Sequence, residues 1–484
     1  MAQSATGPAQ ERHPDHNKAV ALAVAAAVGG FLFGFDSSVI NGAVDAIEDT
    51  FELNATLTGF SVAVALLGCA VGAWAGGRLA DRWGRPRVML LGAVLFFVSS
   101  LGSGFAFSVW DLIIWRIVGG LGIGIASVIA PAYIAEIAPA AMRGRLGSLQ
   151  QLAITLGIFA ALLSDALFAN LSGGANEPSL FGLAAWRWMF LVAVIPAAVY
   201  GILALRIPES PRYLVAEGRQ EEAVRVLSRV LGPDEDPRAR VRDIEKTIES
   251  DKALANQASL RGSTFGLMPI VWVGILLSVF QQFVGINVIF YYSTTLWQAV
   301  GFDESDSFIV SVITSVTNVV VTFIAIALID KVGRRPILMT GSLGMAVTLG
   351  IMALAFTQSV GPADDVTLPG AWGPIALVSA NLFVVFFGAS WGPLVWVLLG
   401  EMFPNRIRAA ALGVAAACQW IANFLITVSF PPMLDAFGAT GPYLMYAVFA
   451  ALSFFFVFWK VPETKGVELE DMKGVTRQRK PRAV

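Results

Sequence analysis

The chain carries the same short motifs twice, in the same order and at nearly the same distance apart. Asp81-Arg82-Trp83-Gly84-Arg85-Pro86 recurs as Asp330-Lys331-Val332-Gly333-Arg334-Arg335-Pro336, 249 positions later (330 − 81). Two further matches keep this order and spacing: Glu136 with Glu401, and Glu209 with Glu463. Motifs that repeat in the same order at nearly the same offset indicate two copies of a single structural unit. In a hydrophobic chain, such a duplication predicts two related lobes with a binding site between them.

The composition is that of a membrane protein. Hydrophobic residues make up 56% of the chain and charged residues 14%, against roughly 25% charged residues in soluble proteins. A helix needs about 20 apolar residues to cross a bilayer. Twelve stretches satisfy this: 18–44, 55–79, 88–107, 110–138, 144–170, 185–206, 266–299, 306–330, 336–358, 371–400, 406–436 and 442–460. We therefore predict an all-α membrane protein with twelve transmembrane helices in two six-helix lobes.

The polar stretches divide the chain into five parts. The predicted order is an N-terminal tail, a first lobe, a helical linker, a second lobe and a C-terminal tail, at 1–17, 18–206, 207–265, 266–460 and 461–484. Within the linker, Arg219–Leu227 and Arg240–Lys252 have the spacing of amphipathic helices. The linker is expected to lie on the cytoplasmic side and could brace the two lobes there.

The placement of charge predicts the orientation. If residue 1 is cytoplasmic, all 33 Lys and Arg residues except Arg116 and Arg187 fall on the cytoplasmic side. The external loops then carry acids, among them Asp45, Asp49 and Asp303. This bias predicts a multi-pass protein of the cell membrane with both termini in the cytoplasm. The lipid bilayer is the expected partner, and no nucleic acid is expected to bind.

The chain offers little for catalysis or metal binding. Cys69 and Cys418 lie in separate apolar stretches and favour packing roles, and the two histidines lie in the N-terminal tail. The glycines between Gly119 and Gly124 lie inside a predicted span, which favours close helix packing over phosphate binding. We expect no metal, no cofactor and no enzymatic activity.

Two ionisable residues lie where lipid is expected. Asp36 is in the outer half of the first span and Arg116 is in the outer half of the fourth, so the two can meet. A charged side chain at membrane depth costs about 2.5–3.5 kcal/mol on insertion scales, so it marks function or a paired structural role. Burial makes a carboxylate bind a proton more readily, and a nearby Arg opposes this. The pair is thus either a proton-coupling site or a purely structural ion pair.

Amides are concentrated in the seventh predicted span. Gln281, Gln282 and Asn287 would not share one stripe of an unbroken helix, but Gly285 permits a local break that turns them toward one cavity. Amides donate and accept hydrogen bonds without charge, as sugar hydroxyls do. Further amides lie in other spans, and Trp396 and Phe387 could cover the apolar face of a ring. The alternative is that the amides only join helices to each other.

The motifs resemble those of the sugar porter family of the major facilitator superfamily, over nearly the whole chain. The resemblance rests on Gly76–Arg85, Pro131–Pro139 with Arg143, Pro208–Leu214, Gln281–Asn287 and Pro462–Gly466. Pro86 stands where the family has a second basic residue, so either Arg85 or Arg87 is expected to make the cytoplasmic contact. The stretch Phe33–Val44 is most similar to bacterial glucose permeases of the actinobacterial type, and the chain also resembles xylose–proton symporters.

The resemblance implies roles for particular residues. Sugar would be held by Gln151, Gln281, Gln282, Asn287, Asn318 and Gln419, with Trp396 beneath it and with Phe33 and Phe387 shaping the pocket. Tyr291 and Tyr292 would help to close the outer gate. Salt bridges that lock the inner side in the outward-open state would come from Arg82, Arg85, Glu136, Arg143, Glu209, Arg334, Glu401, Arg408 and Glu463. An Asp at position 36 is typical of the symporters of the family.

The sequence thus predicts a transporter that imports a hexose together with a proton by alternating access. Glucose is the expected hexose, and the protein is expected to function as a monomer. A facilitator with the same site and no proton is one alternative, and another substrate such as xylose, galactose or inositol is a second. A sugar sensor that binds without transport is a third, although sensors carry long signalling tails and this C-terminal tail is short.

Overall fold

The computed structural model describes residues 16–138, 143–231, 235–255, 260–360, 367–404 and 407–463. Most of the two predicted tails lies outside these residues. We call the face that carries Asp45 and Asp303 the outer face and the opposite face the inner face, following the predicted orientation.

The first lobe contains six apolar helical segments that cross the molecule. A 3-10 turn, Ile40–Gly42, follows the first helix. The helices are α1 (His16–Val39), α2 (Val44–Phe51), α3 (Ala55–Trp83), α4 (Arg85–Gly104), α5 (Val109–Ile137), α6 (Arg143–Ser172), α7 (Ala185–Leu191) and α8 (Val194–Arg206). A second 3-10 turn, Leu180–Gly182, lies in the loop before α7.

Three short helices and one strand form the linker, and the second lobe follows. The linker comprises α9 (Pro211–Ala216), α10 (Gln220–Val230), α11 (Pro237–Ala255) and β1 (Arg261–Thr264). The second lobe comprises α12 (Pro269–Phe283), α13 (Ile286–Tyr291), α14 (Ser293–Ala299), α15 (Glu304–Val332), α16 (Arg334–Phe356), α17 (Trp372–Gly388), α18 (Trp391–Glu401), α19 (Arg408–Phe437) and α20 (Thr440–Lys460).

The predicted all-α architecture is confirmed. Within the described residues, twelve helical segments are long and apolar enough to cross a membrane, and they coincide with the twelve predicted stretches. The helix predicted over 55–79 continues to Trp83, because Arg78, Asp81 and Arg82 extend it by one polar turn toward the inner face. The seventh span breaks where expected: α12 ends at Phe283, and Gly285 adopts a left-handed φ of 82° that only glycine tolerates easily.

The break in the tenth span was not predicted. The tenth span is interrupted between α17 and α18, where Ser390 has φ −134° and ψ −86°. A broken helix at membrane depth leaves backbone carbonyls free to accept hydrogen bonds from side chains. The seventh and tenth spans therefore both expose polar backbone near the middle of the second lobe.

Small residues let the helices approach closely. A side chain added at Gly120 would come within 2.1 Å of the Ala65 carbonyl oxygen, and one added at Gly124 within 2.2 Å of the Cys69 carbonyl oxygen. The glycines of α5 therefore serve the close packing of α5 on α3, as the sequence predicts. Between the lobes, α3 packs on α19 and α6 packs on α15.

Candidate functional site

Asp36 and Arg116 meet inside the first lobe. An Nη1 proton of Arg116 is donated to Oδ1 of Asp36 at 2.8 Å, and the two residues expose only 3% and 6% of their surface. The guanidinium also lies 5.8 Å from the centre of the Phe190 ring. Among the described residues, Nε of Arg116 has no hydrogen-bond partner. The pair is therefore joined by a single charge-assisted hydrogen bond and is not a bidentate ion pair.

This ion pair borders a narrow cavity at the interface of the lobes. The cavity is lined by Asp36 and Arg116, by Phe33 and Ser37 of α1, and by Tyr291 of the second lobe. Tyr291 thus covers the ion pair from across the interface. Tyr292 turns the other way, and its hydroxyl donates to the Thr427 carbonyl oxygen of α19 at 3.1 Å.

The amides of the seventh span form one hydrogen-bonded row. Nε2 of Gln281 donates to the carbonyl oxygens of Trp391 and Gly392, in the first turn of α18, at 2.9 and 3.1 Å. Nε2 of Gln282 donates to Oε1 of Gln281 at 3.4 Å, and Asn287 in turn donates to Oε1 of Gln282. The break at Gly285 brings Asn287 into this row.

The other predicted sugar ligands are less closely connected. Asn318 is buried beside Gly388, next to Phe387. Gln419 has an Oε1 atom with no hydrogen-bond partner among the described residues. Gln151 is partly buried on α6, and Trp396 of α18 leaves 43% of its surface accessible. The structure therefore joins three of the six predicted amides by hydrogen bonds and leaves the rest as separate groups.

Two matching ionic clusters lie at the inner face, one in each lobe. Arg85 binds Glu136 through two hydrogen bonds of 2.8 and 3.0 Å, and its backbone N–H donates to Glu209 at 2.9 Å. In the second lobe, Arg334 binds Glu401 at 3.0 and 3.3 Å, and its backbone N–H donates to Glu463 at 3.1 Å. The two repeats of the sequence thus fold into the same arrangement.

Each of these contacts between described residues joins two residues of the same lobe, or a lobe and the segment that directly follows it. Of the two candidates for the first cluster, Arg85 makes the contact, while Arg87 is exposed. Arg82 is also exposed, and its side chain forms no ion pair with a described residue. The side chains of Arg143 and Arg408 lie outside the described part of the structure.

Hydrogen bonds across the lobe interface close the outer face. The backbone N–H and the hydroxyl of Thr294 donate to the side chain and the carbonyl of Asn41, at 3.1 and 2.6 Å. The Ala175 N–H donates to Glu304 at 2.8 Å. All three hydrogen bonds join residues of the first lobe to α14 or α15 of the second lobe. The structure therefore represents a state in which the outer gate is shut.

Sequence reasoning missed several residues of this interface. It used Asp45 only as a marker of orientation, and it overlooked the contact between Phe33 and Trp420, whose ring centres lie 5.6 Å apart across the lobes. It also overlooked Asp165 of α6, which is completely buried and accepts a hydrogen bond from the Gly42 N–H at 3.3 Å. An ionisable residue inside an apolar stretch was the available signal for Asp165.

Comparison with known proteins agrees with this architecture. A profile of the family described as "Sugar (and other) transporter" matches residues 22–475. The chain belongs to this family. The resemblance to the sugar porter family, drawn from motifs along nearly the whole chain, is therefore confirmed.

Individual relatives of this transporter family cover almost the full chain. A protein of Synechocystis sp. named "Glucose transport protein" is 56% identical over 450 residues, which cover 92% of this chain and 95% of that protein. The xylose transporter XylE of Escherichia coli, solved in a partially occluded inward-open conformation, has a TM-score of 0.80 and 34% identity, covering 93% of this chain and 100% of XylE.

A second XylE structure connects the fold to the major facilitator superfamily. It is described as the proton:xylose symporter of that superfamily bound to 6-bromo-6-deoxy-D-glucose, and it has a TM-score of 0.76 and 34% identity over 94% of this chain and 99% of that one.

Proposed function

We propose that this protein imports glucose together with a proton across the cell membrane by alternating access, as a monomer with both termini in the cytoplasm. The observation that carries the proposal is the buried Asp36–Arg116 pair, 2.8 Å apart, at a cavity that both lobes line. A carboxylate that contacts an Arg has little tendency to bind a proton, and one separated from the Arg in a dry cavity binds it readily. Tyr291 of the second lobe lines the same cavity, so movement of the lobes can change the hydration of the pair and with it the proton affinity of Asp36.

The sugar site in this proposal is the amide row of the second lobe. Gln281, Gln282 and Asn287 hydrogen-bond one another, and a sugar hydroxyl, which both donates and accepts, can insert between two of these amides and pair with both. Trp396 offers an accessible ring surface on the same lobe. The name of the Synechocystis relative and the glucose analogue bound to XylE support a hexose as the substrate.

The two-lobed arrangement also suggests how the outer and inner gates open and close. The closed outer face corresponds to the state that releases sugar to the cytoplasm. In the outward-open state, the clusters around Arg85 and Arg334 would come together at the inner face and close it, with Arg143 and Arg408 contributing further charges. This assignment rests on the symmetric placement of the clusters, one at the inner end of each lobe.

The proposal is tested by replacing Asp36 with Asn, which keeps the shape of the side chain and removes its titration. One proton that moves down about 100 mV supplies about 2.3 kcal/mol, enough for about 50-fold accumulation. In proteoliposomes with an imposed proton gradient, the unchanged protein should concentrate glucose, whereas Asp36→Asn should only equilibrate it. Asp49→Asn, which removes an exposed acid, should still concentrate glucose.

Three results would change the proposal. If the unchanged protein only equilibrates glucose, it is a facilitator. If Asp36→Asn still accumulates glucose, the Asp36–Arg116 pair is structural. If labelled xylose, galactose or inositol competes better than glucose for uptake, the fold and the coupling stand but the substrate is wrong.

A further inference from the structure

Asp45 joins the two lobes at the outer face through both of its carboxyl oxygens. It lies on α2, outside the membrane-spanning segments. Oδ1 accepts a hydrogen bond from the Thr295 hydroxyl at 2.7 Å, and Oδ2 accepts one from the Gln298 amide at 2.9 Å. Thr295 and Gln298 belong to α14 of the second lobe. Both contacts must break when the lobes part on this side.

The surroundings of Asp45 are acidic. It borders a cavity of about 140 Å³ that is also lined by Asp49, Glu177 and Glu304, with no Lys, Arg or His among the lining residues. Glu48 and Asp49 come from its own helix, and Glu304 comes from α15. Gly42, which also lines this cavity, donates its backbone N–H to the carboxylate of Asp165 on α6. No positive charge in this lining offsets the negative charge of Asp45.

Closure of the gate therefore favours the neutral form of Asp45. Removal from bulk water raises the pKa of this carboxyl to about 6; the hydrogen bond from Thr295 opposes the rise, and the charges of Glu48, Asp49 and Glu304 add to it. The hydrogen bonds also suit the neutral acid. A hydroxyl can donate or accept, so Thr295 can accept the proton of Oδ1, while Gln298 continues to donate to Oδ2.

We propose that Asp45 is a proton-sensitive latch of the outer gate, which takes up an external proton as the gate closes and returns it to the outside as the gate opens. The proposal rests on alternating access and adds a regulatory proton to the proposed coupling proton. Because Asp45 borders a cavity at the outer face, this proton exchanges with the external medium and is not carried across the membrane.

The direction of the pH effect follows from the two states. With the gate open, Asp45 is hydrated and its pKa is near the ordinary value of about 3.9. The closed state, with the raised pKa, binds more protons between about pH 4 and pH 6, so acid stabilises closure and this stabilisation is lost as the pH rises through 6. The ratio of closed to open molecules should be about tenfold higher at pH 5 than at pH 7.5. External acid would thus promote the step that follows sugar binding from outside.

The test measures the gate directly. Spin labels at Leu180→Cys and Ser359→Cys, on exposed outer loops of opposite lobes, report the distance between the lobes by pulsed electron paramagnetic resonance in nanodiscs. Cys69→Ala and Cys418→Ala remove the native thiols, and Asp36→Asn removes the proposed coupling proton. In this parent, closed molecules should increase about tenfold relative to open ones from pH 7.5 to pH 5.

Asp45→Asn should abolish this dependence and keep the gate as closed at pH 7.5 as the parent is at pH 5, because Asn imitates the neutral acid. Asp306→Asn, which removes an exposed acid of α15 that does not line this cavity, should leave the dependence intact. The latch is refuted if the parent shows no pH dependence, or if Asp45→Asn retains it. Glucose uptake measured separately with Asp36 intact reports on the proposed function, so failure of the latch and failure of transport give different results.

Discussion

Thr294→Val probes the contact that holds the outer face shut. The Thr294 side chain is buried, and its hydroxyl donates to the Asn41 carbonyl oxygen of the other lobe at 2.6 Å. Valine has nearly the same volume and keeps the backbone hydrogen bond from residue 294 to Asn41 Oδ1. The substitution therefore removes one hydrogen bond between the lobes and leaves the packing almost unchanged.

The expected change in the ratio of closed to open molecules follows from the burial of this contact. A hydrogen bond contributes about 1 kcal/mol net, and an acceptor left buried without a partner costs about 1–3 kcal/mol. In the open state the Asn41 carbonyl is free to bind water, so the loss falls on the closed state alone. The ratio of closed to open molecules should fall about 5- to 150-fold, because 1.36 kcal/mol corresponds to a factor of ten.

The assay is the inter-lobe distance between spin labels at positions 180 and 359, measured at one pH. Thr317→Val is the matched control, because its hydroxyl donates to Asn381 at 3.1 Å and to the Ile313 carbonyl oxygen at 3.0 Å, both inside the second lobe. The control should keep the distance distribution of the parent. If Thr294→Val also keeps it, the Asn41–Thr294 contact does not stabilise closure and the reasoning is wrong.

Two further predictions concern the sugar site and the orientation. Gln282→Ala should weaken glucose binding about 5- to 150-fold, from the loss of about 1–3 kcal/mol of hydrogen bonding, while the exposed amide variant Gln358→Ala should bind normally; equal affinities in a binding titration would exclude Gln282 from the site. An impermeant thiol reagent added outside cells should label Asp49→Cys and not Arg87→Cys, and the opposite pattern would reverse the predicted topology.

Much of the fold was predictable because each transmembrane helix is specified by its own stretch of sequence. The hydrocarbon core requires about 20 apolar residues, and a helix satisfies its own backbone hydrogen bonds, so each stretch can be recognised without knowing its neighbours. Gly285 likewise indicated a break in the seventh span from local chemistry alone. The break at Ser390 was missed although Gly388 precedes it and Gly392-Pro393 follow it, and a proline is tolerated in the first turn of a helix but not in its interior.

The candidate site was predictable in type and only partly in arrangement. An Asp and an Arg at the same membrane depth need partners, and this reasoning led to the Asp36–Arg116 pair. It did not distinguish Arg85 from Arg87, because both basic residues lie in the same inner loop and only the direction of α4 decides which one reaches Glu136. Asp165 was missed although it lies in an apolar stretch.

The sequence by itself determined the twelve spans, the two lobes and the predicted orientation, because these depend on local hydrophobicity, on a repeated motif and on the placement of charge. Only the tertiary structure revealed that Asp45 meets Thr295 and Gln298, and that Asn41 meets Thr294, across some 250 positions of the chain. Such contacts depend on how one lobe is rotated against the other. A transporter must make and break them in each cycle, so their energies are small and no residue pattern along the chain records them.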